Sequence, residues 1–178
     1  MYASFLRGMN VGGHRLTNVE LCEHFTTMGF CNVASFRASG NVVFAGEDAD
    51  PLEVSARIEA GLRELLGYDV PAFVRTAEQV LAMAALQPFT EETVSASQGK
   101  LQVALLLDVL AAAACRELLA LASERDRLLL SGRELYWLPS GGILQSELDM
   151  KRIERLIGPM TVRTKGTVEQ IAAKHFAE

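Results

Sequence analysis

Val33-Ala34-Ser35-Phe36-Arg37-Ala38-Ser39-Gly40-Asn41-Val42-Val43-Phe44 holds two runs of β-branched and aromatic residues, Val33 to Arg37 and Asn41 to Phe44, around the turn chemistry of Ser39-Gly40. Such a pattern predicts a hairpin. Upstream, Tyr2 to Leu6 reads as a strand that runs into a glycine-rich loop. Thr17, with Glu20 three residues on, then opens a helix that Gly29 can close in the left-handed conformation. Downstream, Asp50-Pro51 supplies an N-cap and a first-turn proline. Leu52, Ala56, Ile58, Leu62, Leu65 and Leu66 recur at broadly helical spacing up to Gly67, and Val70 to Val74 is a fourth strand. The order βαββαβ predicts a ferredoxin-like unit, a four-stranded antiparallel sheet with two helices on one face.

A second unit follows. A helix from about Thr76 to Leu86 has another capping box at Gln79, and the polar run 87–99 reads as a linker. Strands are expected at Leu101 to Leu107, Leu128 to Leu130 and Glu134 to Leu138. Helices are expected at Ala111 to Ala122 and Ser146 to Ile157, the latter stopped by Gly158-Pro159. Ser39-Gly40 recurs as Ser131-Gly132, 92 residues on, and Val74-Arg75-Thr76 recurs as Val162-Arg163-Thr164, 88 residues on. The reading is an α+β chain of two tandem ferredoxin-like (βαββαβ) subdomains with antiparallel sheets. Residues 1–86 form the first with its following helix, 87–99 the linker and 100–178 the second.

Composition narrows the function classes. The chain has 178 residues, 49% hydrophobic and 22% charged, and one of this size buries roughly 68–70% of its unfolded surface without metals or disulfides. A net charge of −5, from 17 basic and 22 acidic residues, argues against extended nucleic-acid binding. Cys22, Cys31 and Cys115 form no CxxC pair and are odd in number, as expected in a reducing compartment. They read as small core residues. No signal-peptide pattern opens the chain, and no apolar stretch reaches about 20 residues, so a cytoplasmic protein without a membrane partner is expected.

The segment Arg7-Gly8-Met9-Asn10-Val11-Gly12-Gly13 leaves a strand and enters a helix, the setting in which backbone N–H groups and a helix dipole can hold an anion. It matches neither nucleotide signature. Gly8 and Gly13 fit the outer glycines of GxxxxGK[ST], but His14-Arg15 stand where Lys and Ser or Thr belong. Arg7 and Asn10 exceed what a tight turn needs. Arg163, with Thr164 and Thr167, precedes the last expected helix, and arginine suits bidentate recognition of carboxylate or phosphate. If the halves pack with their first loops together, Arg7, the Ser39-Gly40-Asn41 turn and Arg163 line one cleft. The candidate ligand-binding residues are thus Arg7, Asn10, Gly12, Gly13, Ser39, Asn41, Arg163 and Thr167. No metal or cofactor set emerges. Cys22 and His24 lie two apart on a helix, and His14, His24 and His175 have no partner at motif spacing. Phe5, Phe36 and Phe44 read as core, because the RNA-recognition consensus is absent. Glu147, Asp149 and Glu154, with Lys151, Arg152 and Arg155, read as a solvated helix face.

Arg7 to Gly13, Ala38-Ser39-Gly40-Asn41-Val42-Val43-Phe44 and Val70-Pro71-Ala72-Phe73-Val74-Arg75-Thr76 together resemble the bacterial domain-of-unknown-function family numbered 1697. The resemblance implies two ferredoxin-like subdomains and brings no established activity. Glu147 stands where the family usually has lysine, and Arg163-Thr164-Lys165-Gly166-Thr167-Val168 replaces an Arg-Asn-Trp-Asn-Thr-Val run, with Arg163 and Thr167 kept in register. Three function classes stay open at this stage. The first is a binder of, or enzyme on, a small phosphorylated or carboxylated ligand at the Arg7 loop. The others are a non-catalytic protein-interaction module and a single-stranded RNA binder. Oligomeric state is not readable.

Overall fold

The computed structural model describes residues 1–9, 16–37 and 40–177. The chain divides into two compact units, residues 1–82 with 171–178, and residues 83–170. Each holds one four-stranded, all-antiparallel sheet, and among the described residues seven α-helices and one 3-10 turn complete the α+β architecture.

In the first unit, β1 (Tyr2–Leu6), α1 (Asn18–Thr27), β2 (Cys31–Ser35), β3 (Asn41–Ala45), α2 (Pro51–Leu66) and β4 (Ala72–Thr76) follow in the expected order, and the strands lie side by side as β2-β3-β1-β4. The end signals act as read. Thr17 and Glu20 form the capping box of α1, Asp50 accepts from the Leu52 N–H to cap α2, and Gly67 closes α2 with φ +76°. One sheet face carries Tyr2, Leu6, Val42, Phe44, Ala72 and Val74 against Leu21, Phe25, Ile58 and Leu62 of the two helices. Phe25, Phe30 and Phe44 pack with ring centroids 4.5–5.8 Å apart. The opposite face is buried too, through Ala3, Phe5, Val43, Phe73 and the side chain of Arg75. The strand expected from Val70 starts at Ala72, and β2 starts at Cys31, with a register shift beside Asn32, whose φ is +51°. That irregularity blunts an exposed edge strand.

The first-unit helix α3 (Ala77–Ala85) begins at the predicted Thr76–Gln79 capping box and runs on into the second unit. The polar run 87–99 contains a further helix, α4 (Glu91–Ala96), capped by Thr90, and Ser97 Oγ and the Gln98 N–H tie its end to the carbonyls of Pro139 and Ser140. Then come β5 (Gln102–Leu106), α5 (Ala112–Leu119), β6 (Asp126–Ser131), β7 (Glu134–Pro139), α6 (Met150–Ile157), β8 (Met160–Thr164) and α7 (Lys165–His175), with strand order β6-β7-β5-β8. Ala104, Leu106, Leu135 and Met160 pack on Leu118, Ile153 and Ile157.

Helix α6 starts four residues later than periodicity suggests, because Ser146 and Glu147 are recruited elsewhere. Ser146 Oγ and Trp137 Nε1 each donate to Asp126 Oδ1 at 2.7 Å, and the Glu147 N–H donates to Asp126 Oδ2. Asp149 then caps the helix. Glu147, read as part of that helix, lies before it and pairs with Arg125 at 2.6 Å.

Strand pairing supplies the register of the internal match. Ala3 faces Arg75 and Val103 faces Arg163, so Val74-Arg75-Thr76 and Val162-Arg163-Thr164 are equivalent at the offset of 88. The other match is one residue out. Tyr2 faces Phe44 while Gln102 faces Trp137, an offset of 93, which makes Gly40 equivalent to Arg133 rather than to Gly132. The Leu6 N–H accordingly bonds the Gly40 carbonyl, and the Leu106 N–H that of Arg133.

Candidate functional site

Arg7 extends β1 by one position. Its N–H bonds the Pro71 carbonyl at 3.0 Å on one side, while on the other the Leu6 N–H bonds Gly40 at 2.8 Å. The β2–β3 turn and the exit of β1 are thereby fixed at one end of the first sheet. Gly40 belongs there for a physical reason. Its φ is +69°, and a Cβ would stand 3.1 Å from Leu6 Cβ. Tyr68 Oη donates to the Met9 carbonyl at 2.6 Å and holds the chain at Met9.

Asn41 is buried, and it clamps the turn from below. Its carbonyl accepts from the Phe36 N–H at 2.9 Å, and its Nδ2 donates to the Phe36 carbonyl at 3.1 Å. Arg37 follows in the left-handed region, φ +58°. A non-glycine residue there costs roughly 1–2 kcal/mol, so the turn holds this arginine in a strained conformation. Pleat alternation sets Phe36, Asn41, Phe5 and Arg7 on one face, opposite the face bearing Leu6, Val42 and the helices.

The last turn of α7 lies on the same corner. His175 meets Phe36 edge-on, centroids 6.3 Å apart at 88°, and Arg37 and Lys174 stand 5.5 and 5.9 Å from the ring centroid. These are cation–π distances at the outer end of the useful range. His175 Nε2 is buried without a hydrogen-bond partner. Desolvation first, and the Lys174 ammonium second, hold this imidazole below its ordinary pKa. Phe36, expected in the core, is half-exposed, whereas Phe5 and Phe44 are fully buried. Position explains the difference: Phe36 lies one residue past the end of the edge strand.

The candidate residues separate as follows. Arg7 and Asn41 come together at this corner. Asn10, Gly12, Gly13 and Ser39 lie outside the described residues. Arg163 and Thr167 belong to the second unit, where Arg163 Nη1 donates to Thr161 Oγ1 at 2.8 Å and to the Val162 carbonyl, and desolvation lowers its pKa to about 10. Thr164 caps α7, its Oγ1 accepting from the Thr167 N–H, and Thr167, inside the first turn, meets it hydroxyl to hydroxyl. Phe36, Arg37, Lys174 and His175 were not singled out as a group in the sequence, since α7 is more than 130 residues away from the turn. The N-terminus of α1 already holds an acid: the Glu20 carboxylate accepts from the Thr17 N–H and hydroxyl, both at 2.8 Å, and its pKa is lowered by those bonds.

The cysteines are not core residues. Cys31 is exposed on the edge strand, Cys22 and Cys115 are half-buried, and all three are free thiols. Among the described residues no group of three or more His, Cys, Asp or Glu is placed to hold a metal ion. No helix among them is long and apolar enough to cross a membrane.

The fold and this corner define an α+β protein of two four-stranded antiparallel sheets with an arginine-bearing loop at the end of the first. The chain belongs to the family described as "Protein of unknown function (DUF1697)", which it matches over residues 1–136. Among solved structures it is similar to the conserved bacterial protein SP0830 from Streptococcus pneumoniae. That likeness has a TM-score of 0.70 at 18% identity and covers 97% of this chain and 96% of that one. At that identity the likeness speaks for the fold alone. No curated protein matches the chain.

Proposed function

We propose that the chain binds a small anion, a phosphate or carboxylate, at the Arg7 corner of the first sheet. The observation that carries this reading is the gathering of Arg37, Lys174 and His175 around the Phe36 ring at the end of the first sheet where Arg7 leaves β1. Because Glu20 occupies the N-terminus of α1, the attraction comes from side-chain cations rather than from that helix dipole. Asn10, Gly12, Gly13 and Ser39, outside the described residues, join the proposal from the sequence alone. The reading assigns no catalytic group.

Two coarser observations support finer proposals. The βαββαβ order with strands β2-β3-β1-β4 and β6-β7-β5-β8 supports two tandem ferredoxin-like subdomains, 1–86 and 100–178. Three free cysteines support a cytoplasmic location.

A thermal-shift screen over inorganic phosphate, phosphorylated metabolites and carboxylates tests the binding reading. A ligand at about 100 times its Kd adds roughly 2.7 kcal/mol, expected as a Tm rise of roughly 5–11 °C at about 2–4 °C per kcal/mol. Arg7→Ala abolishes the rise if the site is correct. Arg163→Ala is the companion variant, and an unchanged rise in both variants would refute the site. No response to any anion favours the non-catalytic interaction module instead.

A further inference from the structure

We infer that the first unit carries a second recognition surface, a groove between α1 and the open edge of β2 that takes a short extended peptide of a partner protein, apolar with one basic residue, as an added strand. The argument begins with the backbone. β2 ends the sheet order β2-β3-β1-β4, so among the described residues no strand lies on its outer side. The Phe36 N–H bonds the Asn41 carbonyl, and Ala34, two residues back, faces Val43 in the same phase of the ladder. Both therefore direct their backbone groups at β3, and Ser35 between them turns its N–H and C=O outward. α1 packs on β2. One stripe of that helix, from Asn18 to Thr27, walls a groove of about 670 Å³ whose other side is Ala34 and Ser35.

The helix wall is more apolar than its sequence suggests. Thr26 and Thr27 donate their hydroxyls to the Cys22 and Glu23 carbonyls one turn back, so the polar atom of each is engaged within the helix and the methyl remains for contact. Val19, on the same stripe, is 67% exposed. Glu23 is the charged member of the lining, and among the described residues its carboxylate makes no ion pair. It complements a lysine or arginine and repels an acid. These features select the occupant. A docked helix spends its backbone groups internally and has none for Ser35, whereas an extended segment does. A second copy's β2 fits less well. The register shift between Cys31 and Ala34, with Asn32 at φ +51°, interrupts the edge and confines regular pairing to the few residues after it. Nor does β2, Cys-Asn-Val-Ala-Ser, contain a basic residue for Glu23. A short basic peptide meets both limits.

Screening the full chain against a bead library of acetyl- and amide-capped pentapeptides tests the surface. Retained sequences should carry Lys or Arg in preference to Asp or Glu, with apolar residues at alternate positions. Ser35→Pro removes the outward N–H at an edge position where the ladder does not use it. It should weaken a retained peptide about 2- to 13-fold in fluorescence anisotropy, the worth of one hydrogen bond, while Ser35→Ala binds as the parent does. N-methylation of the paired peptide amide should produce a similar loss without touching the protein. Glu23→Gln should erase the preference for basic residues. Bound peptide should slow alkylation of Cys22 by iodoacetamide, read by mass spectrometry, and leave Cys115 of the second unit unchanged. The groove shares no residue with the Arg7 corner, so Arg7→Ala should leave peptide affinity unchanged. An empty screen would overturn the surface and leave the anion reading standing. Retained peptides that tolerate both Ser35→Pro and N-methylation, or that leave Cys22 alkylation unchanged, would overturn the added strand. Concentration-dependent dimerisation in sedimentation, abolished by Ser35→Pro, would replace the partner peptide with a second copy.

Discussion

Single residues here carry opposed demands of stability and function. Ser4 is fully buried on the helix-covered face of the first sheet, and its hydroxyl has no partner. A desolvated, unbonded hydroxyl costs about 1–3 kcal/mol, so Ser4→Ala should raise stability by about 1 kcal/mol, read as a higher urea midpoint with an unchanged slope. Arg37 is the counterpart in the proposed site. Its positive φ is strain that glycine would relieve, so Arg37→Gly should leave the fold as stable or add about 1 kcal/mol. The same change should lower anion affinity. A variant that loses stability and keeps affinity would refute the role assigned to Arg37. The sequence names Arg37 as the end of a strand and has no way to announce its φ, because the left-handed turn arises from the closure of Phe36 on Asn41.

At the scale of elements, local chemistry and long-range pairing divide the work. The capping boxes at Thr17 and Thr76, the Asp50-Pro51 start and the Gly67 stop were all legible, since each involves atoms within a few residues of one another. Thr17→Ala should cost about 1 kcal/mol, the usual loss of an N-cap, measured by chemical denaturation with the sheet intact by circular dichroism. Gly40→Ala should cost more than that cap, because the added methyl meets Leu6 in a conformation that alanine avoids. Boundaries set by distant partners were not legible. The late start of α6 follows from Asp126, twenty residues upstream, taking Ser146 and the Glu147 N–H for a buried network with Trp137. The Ser-Gly repeat invited a register that strand pairing moved by one residue, since two matched turn residues say little about which carbonyl closes the hairpin.

For the molecule as a whole, two partly or fully desolvated titratable groups shape the pH dependence of stability. His175 has a depressed folded pKa, so the unfolded chain binds its proton more readily. Its contribution is complete above the unfolded value of about 6.5 and is lost as pH falls below it. His175→Gln should flatten the acid limb of a stability profile taken between about pH 7 and 5. Tyr136 behaves oppositely. Desolvation, with Glu134 adding to it, raises its phenol to about 12, so the folded state keeps a proton that the unfolded chain releases near 10. Stability should fall as pH rises through the interval between those values, and Tyr136→Phe should remove that alkaline loss. A profile identical to that of the parent in either variant would remove the corresponding group from this account.

What the sequence determined by itself was the order of strands and helices in each half and the caps that bound most of them. Those features depend on backbone preference, hydrophobic period and short-range hydrogen bonds, all written within a few residues. Only the tertiary structure decided that Phe36 is a half-exposed platform rather than core, and that the last turn of α7 brings Lys174 and His175 to it. It also decided that the Thr167 N–H is taken by Thr164 at the start of a helix. Those outcomes depend on which distant segment covers a given face, a competition among non-local contacts that no single stretch of the chain encodes.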